Sequence, residues 1–178
     1  MTRLFEIGPS TSGGAAVATP PAEVHGPITL RPAKVADMRR VMPLINGFAA
    51  KNLMLPKSHD QLARHFREFV VAADAEDRIL GCGALRIYNE GLAEICSLAV
   101  DDAAHGLGIG RMLVERLVEE GRALGLQKVF ALTLQEIFFH RVGFRTVPKE
   151  TFPLKVWADC RNCPKLHACD EIAVAREL

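Results

Sequence analysis

Residues 101–125 read DDAAHGLGIGRMLVERLVEEGRALG and lie between two apolar runs, LAEICSLAV (92–100) and KVFALTL (128–134). In His105-Gly106-Leu107-Gly108-Ile109-Gly110 three glycines alternate with larger residues, directly before a segment with Met112, Leu113, Leu117 and Leu124 on one side and Glu115, Arg116, Glu119 and Glu120 on the other. That pattern predicts an amphipathic helix over 109–124 opened by a glycine loop, with strands over 94–100 and 128–134. A strand–helix–strand crossover of this length makes its two strands parallel. Unpaired N–H groups and the positive end of the helix dipole converge at such a loop, and glycine lets the backbone come close to an anion. The spacing argues against the common nucleotide loops. A dinucleotide fingerprint would need glycine where Arg111 stands, no Walker string occurs, and the loop follows a late strand instead of the first.

Working outward, FVVAAD (69–74), RILGCGALRIY (78–88) and LAEICSLAV are β-like runs separated by AED and NEG, short polar links that predict an antiparallel meander. Upstream, ITLRPA from Ile28 alternates as a half-buried strand does. A helix follows over 35–50, with Val35, Met38, Val41, Met42, Ile45 and Ala49 at helical spacing and Pro43 predicting a kink or break. Ser58 caps a second helix, SHDQLARHFREF, with Leu62, His65, Phe66 and Phe69 on one side. Downstream come a short helix QEIFFHRVGF ended at Gly143, a strand FRTVPKE, and a last strand in DEIAVARE. Phe138, Phe139 and Phe144 are expected in the core, and His59, His65 and His140 as isolated surface or packed residues.

The chain has 178 residues, with 22 Lys+Arg against 21 Asp+Glu, a formal charge of +1, and 49% hydrophobic residues. That is enough apolar material for one full core. Balanced charge argues against a general nucleic-acid binder. No apolar run reaches the roughly 18–20 residues of a membrane span, and the N-terminus lacks a secretory signal, so a cytoplasmic protein is expected. Residues 1–26, rich in Gly, Ser, Thr, Ala and Pro, are expected to form a disordered tail before a single domain over 27–178. Of five cysteines, Cys82 and Cys96 sit in apolar runs, and Cys160, Cys163 and Cys169 cluster near His167. Their C-x2-C-x3-H-x-C spacing fits no common zinc knuckle, so reduced thiols and no metal are expected.

The order strand, two helices, three strands, glycine loop and helix, strand, short helix ending in Gly143-Phe144, strand resembles the GCN5-related N-acetyltransferase (GNAT) superfamily over residues 28 to about 148. The family loop reads [QR]-x-x-G-x-[GA]. Gly108 and Gly110 match it, and His105 takes the Arg/Gln place. The resemblance implies an α/β (α+β) fold: a mixed, mostly antiparallel twisted sheet of about seven strands, with flanking helices and one parallel pair at a cofactor cleft. It implies that the backbone of His105, Gly106, Leu107, Gly108, Ile109, Gly110 and Arg111 holds the pyrophosphate of acetyl-CoA, while Leu98, Ala99 and Val100 pair with the pantetheine arm.

CGALRIYNEGLAEICSLAVDDAAHGLGIG, FALTLQEIFFHRVGF and FPLKVWADCRNCPKLHACDEIAV are similar to short amino-acid N-acetyltransferases of the N-acetylglutamate synthase type. The resemblance implies transfer of acetyl from acetyl-CoA to the α-amine of L-glutamate, the opening step of arginine synthesis. The alternatives are another amino acid or small amine as acceptor, or a non-catalytic acetyl-CoA-binding module. A homodimer is compatible with either. An α-amino group must lose a proton before it attacks a thioester, and a carboxylate beside the cofactor strand suits that task. By resemblance Glu94 is the base; on an undistorted strand 94, 96, 98 and 100 share one face. The family's frequent general-acid Tyr is replaced by Phe139, and the chain's single Tyr is Tyr88. Two substrate carboxylates need cations in fixed geometry. Lys57 in Leu55-Pro56-Lys57-Ser58 and Lys155 in FPLKVW match the family's basic positions, and Arg86 is a third candidate.

Overall fold

The structure, a computed structural model, describes residues 24–152, 165 and 168–178. Strand β1 (Thr29–Pro32) starts where the alternation begins at Ile28. A 3-10 turn over Val35–Asp37 leads into α1 (Met38–Ala50), so the regular helix starts later than its apolar spacing predicts, and Val35 is exposed. Pro43 does not break α1. Both Pro43 and Arg39, whose carbonyl loses its partner, lie on the exposed side, where water can replace the missing bond. Ser58 caps α2 (His59–Arg64) in a reciprocal capping box with Gln61. This helix is half the predicted length, because Phe66–Glu68 form a 3-10 turn and Phe69 already belongs to the next strand.

Strands β2 (Phe69–Ala73), β3 (Ile79–Asn89) and β4 (Leu92–Val100) form the expected antiparallel meander. Helix α3 (Ile109–Ala123) then crosses to β5 (Lys128–Thr133), which runs parallel to β4. Helix α4 (Glu136–Arg141), a two-residue strand β6 (Arg145–Thr146) and β7 (Ile172–Glu177) complete the seven-stranded sheet, ordered β1-β2-β3-β4-β5-β7-β6. Strand β6 is shorter than FRTVPKE predicts, since Pro148 has no N–H to continue the ladder and caps a 3-10 turn.

Two helical layers cover the sheet. On one face Ile109, Leu113, Val114, Leu117 and Val118 of α3, each at most 1% exposed, pack with Phe139, Val142 and Phe144. Each such side chain contributes about 1.5–3 kcal/mol of burial. The buried stripe is wider than the sequence pattern and shifted from it, and Leu124 is exposed. Helix α3 lies so close that a Cβ on Gly81 would sit 3.0 Å from Ile109 and 3.1 Å from the Ala99 carbonyl oxygen. On the other face Met38, Val41 and Ile45 of α1 pack on Val71, Cys82, Ala84 and Ala99. Phe130 and Phe152 stack with ring centroids 4.2 Å apart in a third cluster with Tyr88 and Leu92. No helix among the described residues is long and apolar enough to cross a membrane.

Strand β4 is not regular. Cys82 pairs with Ala99 and Ala84 with Cys96, so three steps on β4 answer two on β3. Ser97, at φ +52, sits in this bulge. The bulge exchanges the faces: Glu94, Cys96 and Ala99 point toward α1, whereas Ile95, Leu98 and Val100 point toward α3. The expectation that 94, 96, 98 and 100 share one face is therefore wrong beyond residue 96.

The start of α1 is anchored by Asp37, whose buried carboxylate accepts from Arg31 Nη1 at 2.6 Å, Arg31 Nη2 at 3.1 Å and the Lys34 amide at 2.7 Å. The Arg31 guanidinium, ahead of the opposing effect of burial, holds the Asp37 carboxyl below its ordinary range. A depressed folded-state value stabilises the fold above the unfolded carboxyl's value and loses that contribution as pH falls through the folded one. Stability should therefore drop as pH falls below about 4. Asp37→Asn should cost about 2–3 kcal/mol at pH 7 and flatten that acid slope, as measured by urea unfolding between pH 3 and 7.

Candidate functional site

Strand β4 pairs with β5 only at Leu92, Ala93 and Glu94, although β4 continues to Val100. Beyond Glu94 the two strands part and open a cleft of about 270 Å³. Its walls include Glu94, Cys96, Ser97 and Leu98 of β4, Thr133 at the end of β5, and Phe138 and Phe139 of α4. Lys57, Arg86 and Glu171 also reach it.

Glu94 is 9% exposed, stands opposite Arg86 in the β3–β4 register, and accepts a hydrogen bond from the Tyr88 hydroxyl at 2.8 Å. Burial, followed by the charge of Glu94 and its hydrogen bond, pushes the Tyr88 hydroxyl far above its ordinary value, so it stays protonated and donates. Arg86 Nε lies 3.4 Å from Glu68 Oε2. Lys57 is positioned by α1: its N–H donates to Asn46 Oδ1 at 2.9 Å and its carbonyl accepts from Asn46 Nδ2 at 3.0 Å. A second hollow, bounded by Lys57, Gln61, His65, Arg86 and Ser97, adjoins the cleft. Burial pushes the Cys96 thiol up to about 12, so it is a neutral wall group and not a nucleophile near neutral pH.

Of the sequence candidates, the structure brings Glu94, Leu98, Lys57 and Arg86 to one cleft. Ala99 is buried toward α1 and Val100 faces α3, so both present backbone and not side chains at the strand's open edge. Gly106 (φ +83) and Gly108 (φ +76) hold the left-handed turns that L-residues resist. A Cβ on either would meet nothing, so their conformation and not crowding selects glycine. The amides of residues 106–111 donate to no acceptor among the described residues, and the first helical bond runs from the Met112 amide to the Gly108 carbonyl at 3.0 Å. Such a row of unpaired N–H groups can accept an oxyanion.

Leu107 is exposed and Ile109 is buried beneath the loop. His105 turns back, with Nε2 3.1 Å from the Val100 carbonyl, and Arg111 pairs with Glu115 at 2.7 Å. Lys51 at the end of α1 binds Asp102 at 2.9 Å and ties the loop to the opposite helical layer. Loop and cleft meet at Phe138, 3.4 Å from a Cβ placed on Gly110.

Lys155, Cys160, Cys163 and His167 lie outside the described residues, as does most of the 1–26 tail. Phe139 and Phe144 are core residues, 4% and 2% exposed, in edge-to-face contact. Phe138 is only partly buried and lines the cleft, so the expectation of three core rings holds for two. Cys96 likewise belongs to the cleft as well as the core. Sequence reasoning missed Tyr88 and Glu171 as site residues. Tyr88 was legible as a residue of the same parity as Arg86 across the tight NEG link from Glu94. Glu171 had no local signal, because it reaches the cleft only through the pairing of β7 with β5.

Comparison with known proteins agrees with this geometry. The Acetyltransferase (GNAT) family model matches residues 38–144. The chain is 42% identical to an uncharacterized N-acetyltransferase of Chlorobaculum tepidum over 149 residues, covering 84% of this chain and 96% of that protein. It is 36% identical to an amino-acid acetyltransferase of Mycobacterium tuberculosis over 136 residues, covering 75% and 78%. Among solved structures, a Mycobacterium tuberculosis protein in complex with CoA and NLQ superposes with a TM-score of 0.73 at 31% identity, covering 84% of this chain and 99% of that one. The N-acetylglutamate synthase of Neisseria gonorrhoeae, complexed with coenzyme A and N-acetyl-glutamate, shares the fold with a TM-score of 0.77 at 24% identity, covering 86% of this chain and 36% of that longer one. With its parted β4–β5 pair, its glycine loop before α3 and a family match across more than half its length, the chain belongs to the acetyltransferase (GNAT) family.

Proposed function

We propose that this acetyltransferase moves the acetyl group of acetyl-CoA to the α-amine of L-glutamate. The observation that carries the reading is the convergence of Glu94, Lys57 and Arg86 on one cleft beside the open edge of β4. The amino-acid acetyltransferase of Mycobacterium tuberculosis among the relatives, and the coenzyme A and N-acetyl-glutamate held by the Neisseria synthase, support the same reading.

In this reaction the amides of residues 106–111, which donate to no acceptor among the described residues, bind the pyrophosphate, and the edge of β4 at Leu98, Ala99 and Val100 beyond its pairing with β5 pairs with the amides of the pantetheine arm. Glu94 takes a proton from the substrate ammonium, directly or through a water. The freed nitrogen pair attacks the thioester carbonyl carbon, the C–S bond breaks, CoA leaves as thiolate, and the second proton lost from nitrogen as the amide forms passes to water or to that thiolate. Lys57 and Arg86 hold the substrate carboxylates. Charge on the opposite side favours a second acceptor class. Glu171 places another carboxyl in the cleft. An amino acid with an uncharged side chain would meet less repulsion there.

Thiol release with a panel of amino acids tests the assignment: glutamate should give the highest kcat/KM, and a preference for another acceptor, or cofactor binding without release, would overturn it. Glu94→Gln should lower kcat by about 10²–10³-fold and remove the acidic limb of the pH–rate profile. Lys57→Ala should raise the KM for glutamate about tenfold, the loss of one charge-assisted contact, while that for acetyl-CoA changes by less than about twofold. Gly108→Ala forces an L-residue into a left-handed turn at a cost of about 1–2 kcal/mol and should have the opposite selectivity, raising the KM for acetyl-CoA.

A further inference from the structure

The Tyr88 hydroxyl stands behind Glu94, outside the cleft lining, in a place the proposed reaction does not use. Its ring is fixed by aromatic packing: it lies 5.9 Å from Phe130, which stacks on Phe152 at 4.2 Å and 23°. Tyr88 falls where the β3–β4 register shifts between Ile87 and Asn89, and this local irregularity lets the side chain reach across to Glu94 Oε2. A phenol has one proton to donate, and here it goes to one oxygen of a mostly buried carboxylate.

We infer that Tyr88 is a positioning residue for the catalytic base: its hydroxyl donates to Glu94 Oε2 and fixes the rotation of the carboxylate that takes the proton of the substrate amine. The inference rests on Glu94 being that base. A hydrogen bond donated to the ionised form also favours ionisation, so Tyr88 keeps Glu94 ready to act at lower pH than burial alone would permit. Among the described residues, the other charged or titratable groups around Glu94 are Arg86 on β3, Cys96 on β4, Lys57 before α2, Glu68 before β2 and Glu171 before β7. Arg86 and Lys57 favour the carboxylate, Glu68 and Glu171 oppose it, and Cys96 is neutral. None of these is altered by removing the phenolic oxygen.

The test is the pH dependence of kcat, measured with glutamate and saturating acetyl-CoA, for the wild type, Tyr88→Phe, Glu94→Gln and the double variant. Tyr88→Phe keeps the ring on Phe130, and its thermal midpoint reports whether the fold is intact. It should lower kcat about tenfold, leave the KM for acetyl-CoA within about twofold, and move the acidic limb about one pH unit higher. In the Glu94→Gln background the same change should cost nothing further, since the hydroxyl acts only through that carboxylate. An unshifted limb in Tyr88→Phe, or an equal loss of rate in both backgrounds, overturns the positioning role while leaving Glu94 as base. A limb that survives in Glu94→Gln overturns the assignment of the base itself. Tyr88→Leu supplies the structural comparison. A limb displaced as far as in Tyr88→Phe supports the hydroxyl's role, and displacement only in Tyr88→Leu identifies the ring as the cause and overturns it.

Discussion

The pairing of β4 with β5 stops at Glu94, and the candidate site depends on that early end. Backbone N–H and C=O groups almost always find partners, and two neighbouring parallel strands would ordinarily zip along their shared length. Here β4 is bulged at Ser97, which adds local twist, while β5 is committed along its whole length to β7. The rings of Phe138 and Phe139 line the space between the diverging strands. A cleft lined by one unpaired strand edge results, and an extended ligand carrying amides can complete that edge as a missing strand would. The same parting leaves Glu94 at the vertex, the last residue of β4 paired with β5 and the first to face the opening.

A formal charge of +1 conceals how unevenly charge is placed around that vertex. Lys57 and Arg86 enter from one side, Glu171 from the other, and Glu68 sits behind Arg86. Each is held by a different element, and the asparagine clamp on the Lys57 backbone shows how α1 contributes without touching the chemistry. The glycine loop is separate from this cluster and offers backbone amides, so in the proposed reaction the two ends of the ligand path are specialised: neutral dipoles for an anion at one end, placed side-chain charges at the other. Lys51 joined to Asp102 ties α1, which positions Lys57, to the loop before α3.

Much of this was legible in the sequence because it depends on local chemistry. The glycine loop, the meander, the crossover and the Ser58 cap follow from turn residues and periodicity, and the strands and helices lie where those signals place them. The failures have physical causes. Helix α2 is truncated because Phe69 gains more as the start of a buried strand than as a fourth helical contact. The face swap after Cys96 was invisible because a bulge is set by pairing with β3, and strand alternation alone assumes perfect register. Glu171 was missed as a site residue for a related reason: its place depends on which strands lie side by side, and β7, last in the chain, is inserted between β5 and β6.

Phe139 at the family's frequent tyrosine position raises the question of the leaving thiolate in the proposed reaction. The ring is 4% exposed and packed against Phe138 and Phe144, so it serves the core and offers no proton. Tyr88 cannot substitute, because its one proton is donated to Glu94 and it stands outside the cleft lining. Burial keeps Cys96 protonated up to about 12, which makes it a poor acid. No acid is required, however. An alkyl thiol ionises near pH 8.5, so its thiolate is stable enough to depart unprotonated near neutral pH, unlike an amine, which would have to leave as a far stronger base. The bond-breaking step then needs only a nitrogen that is already deprotonated and correctly aimed, which concentrates the catalytic demand on Glu94 and on whatever fixes its carboxylate.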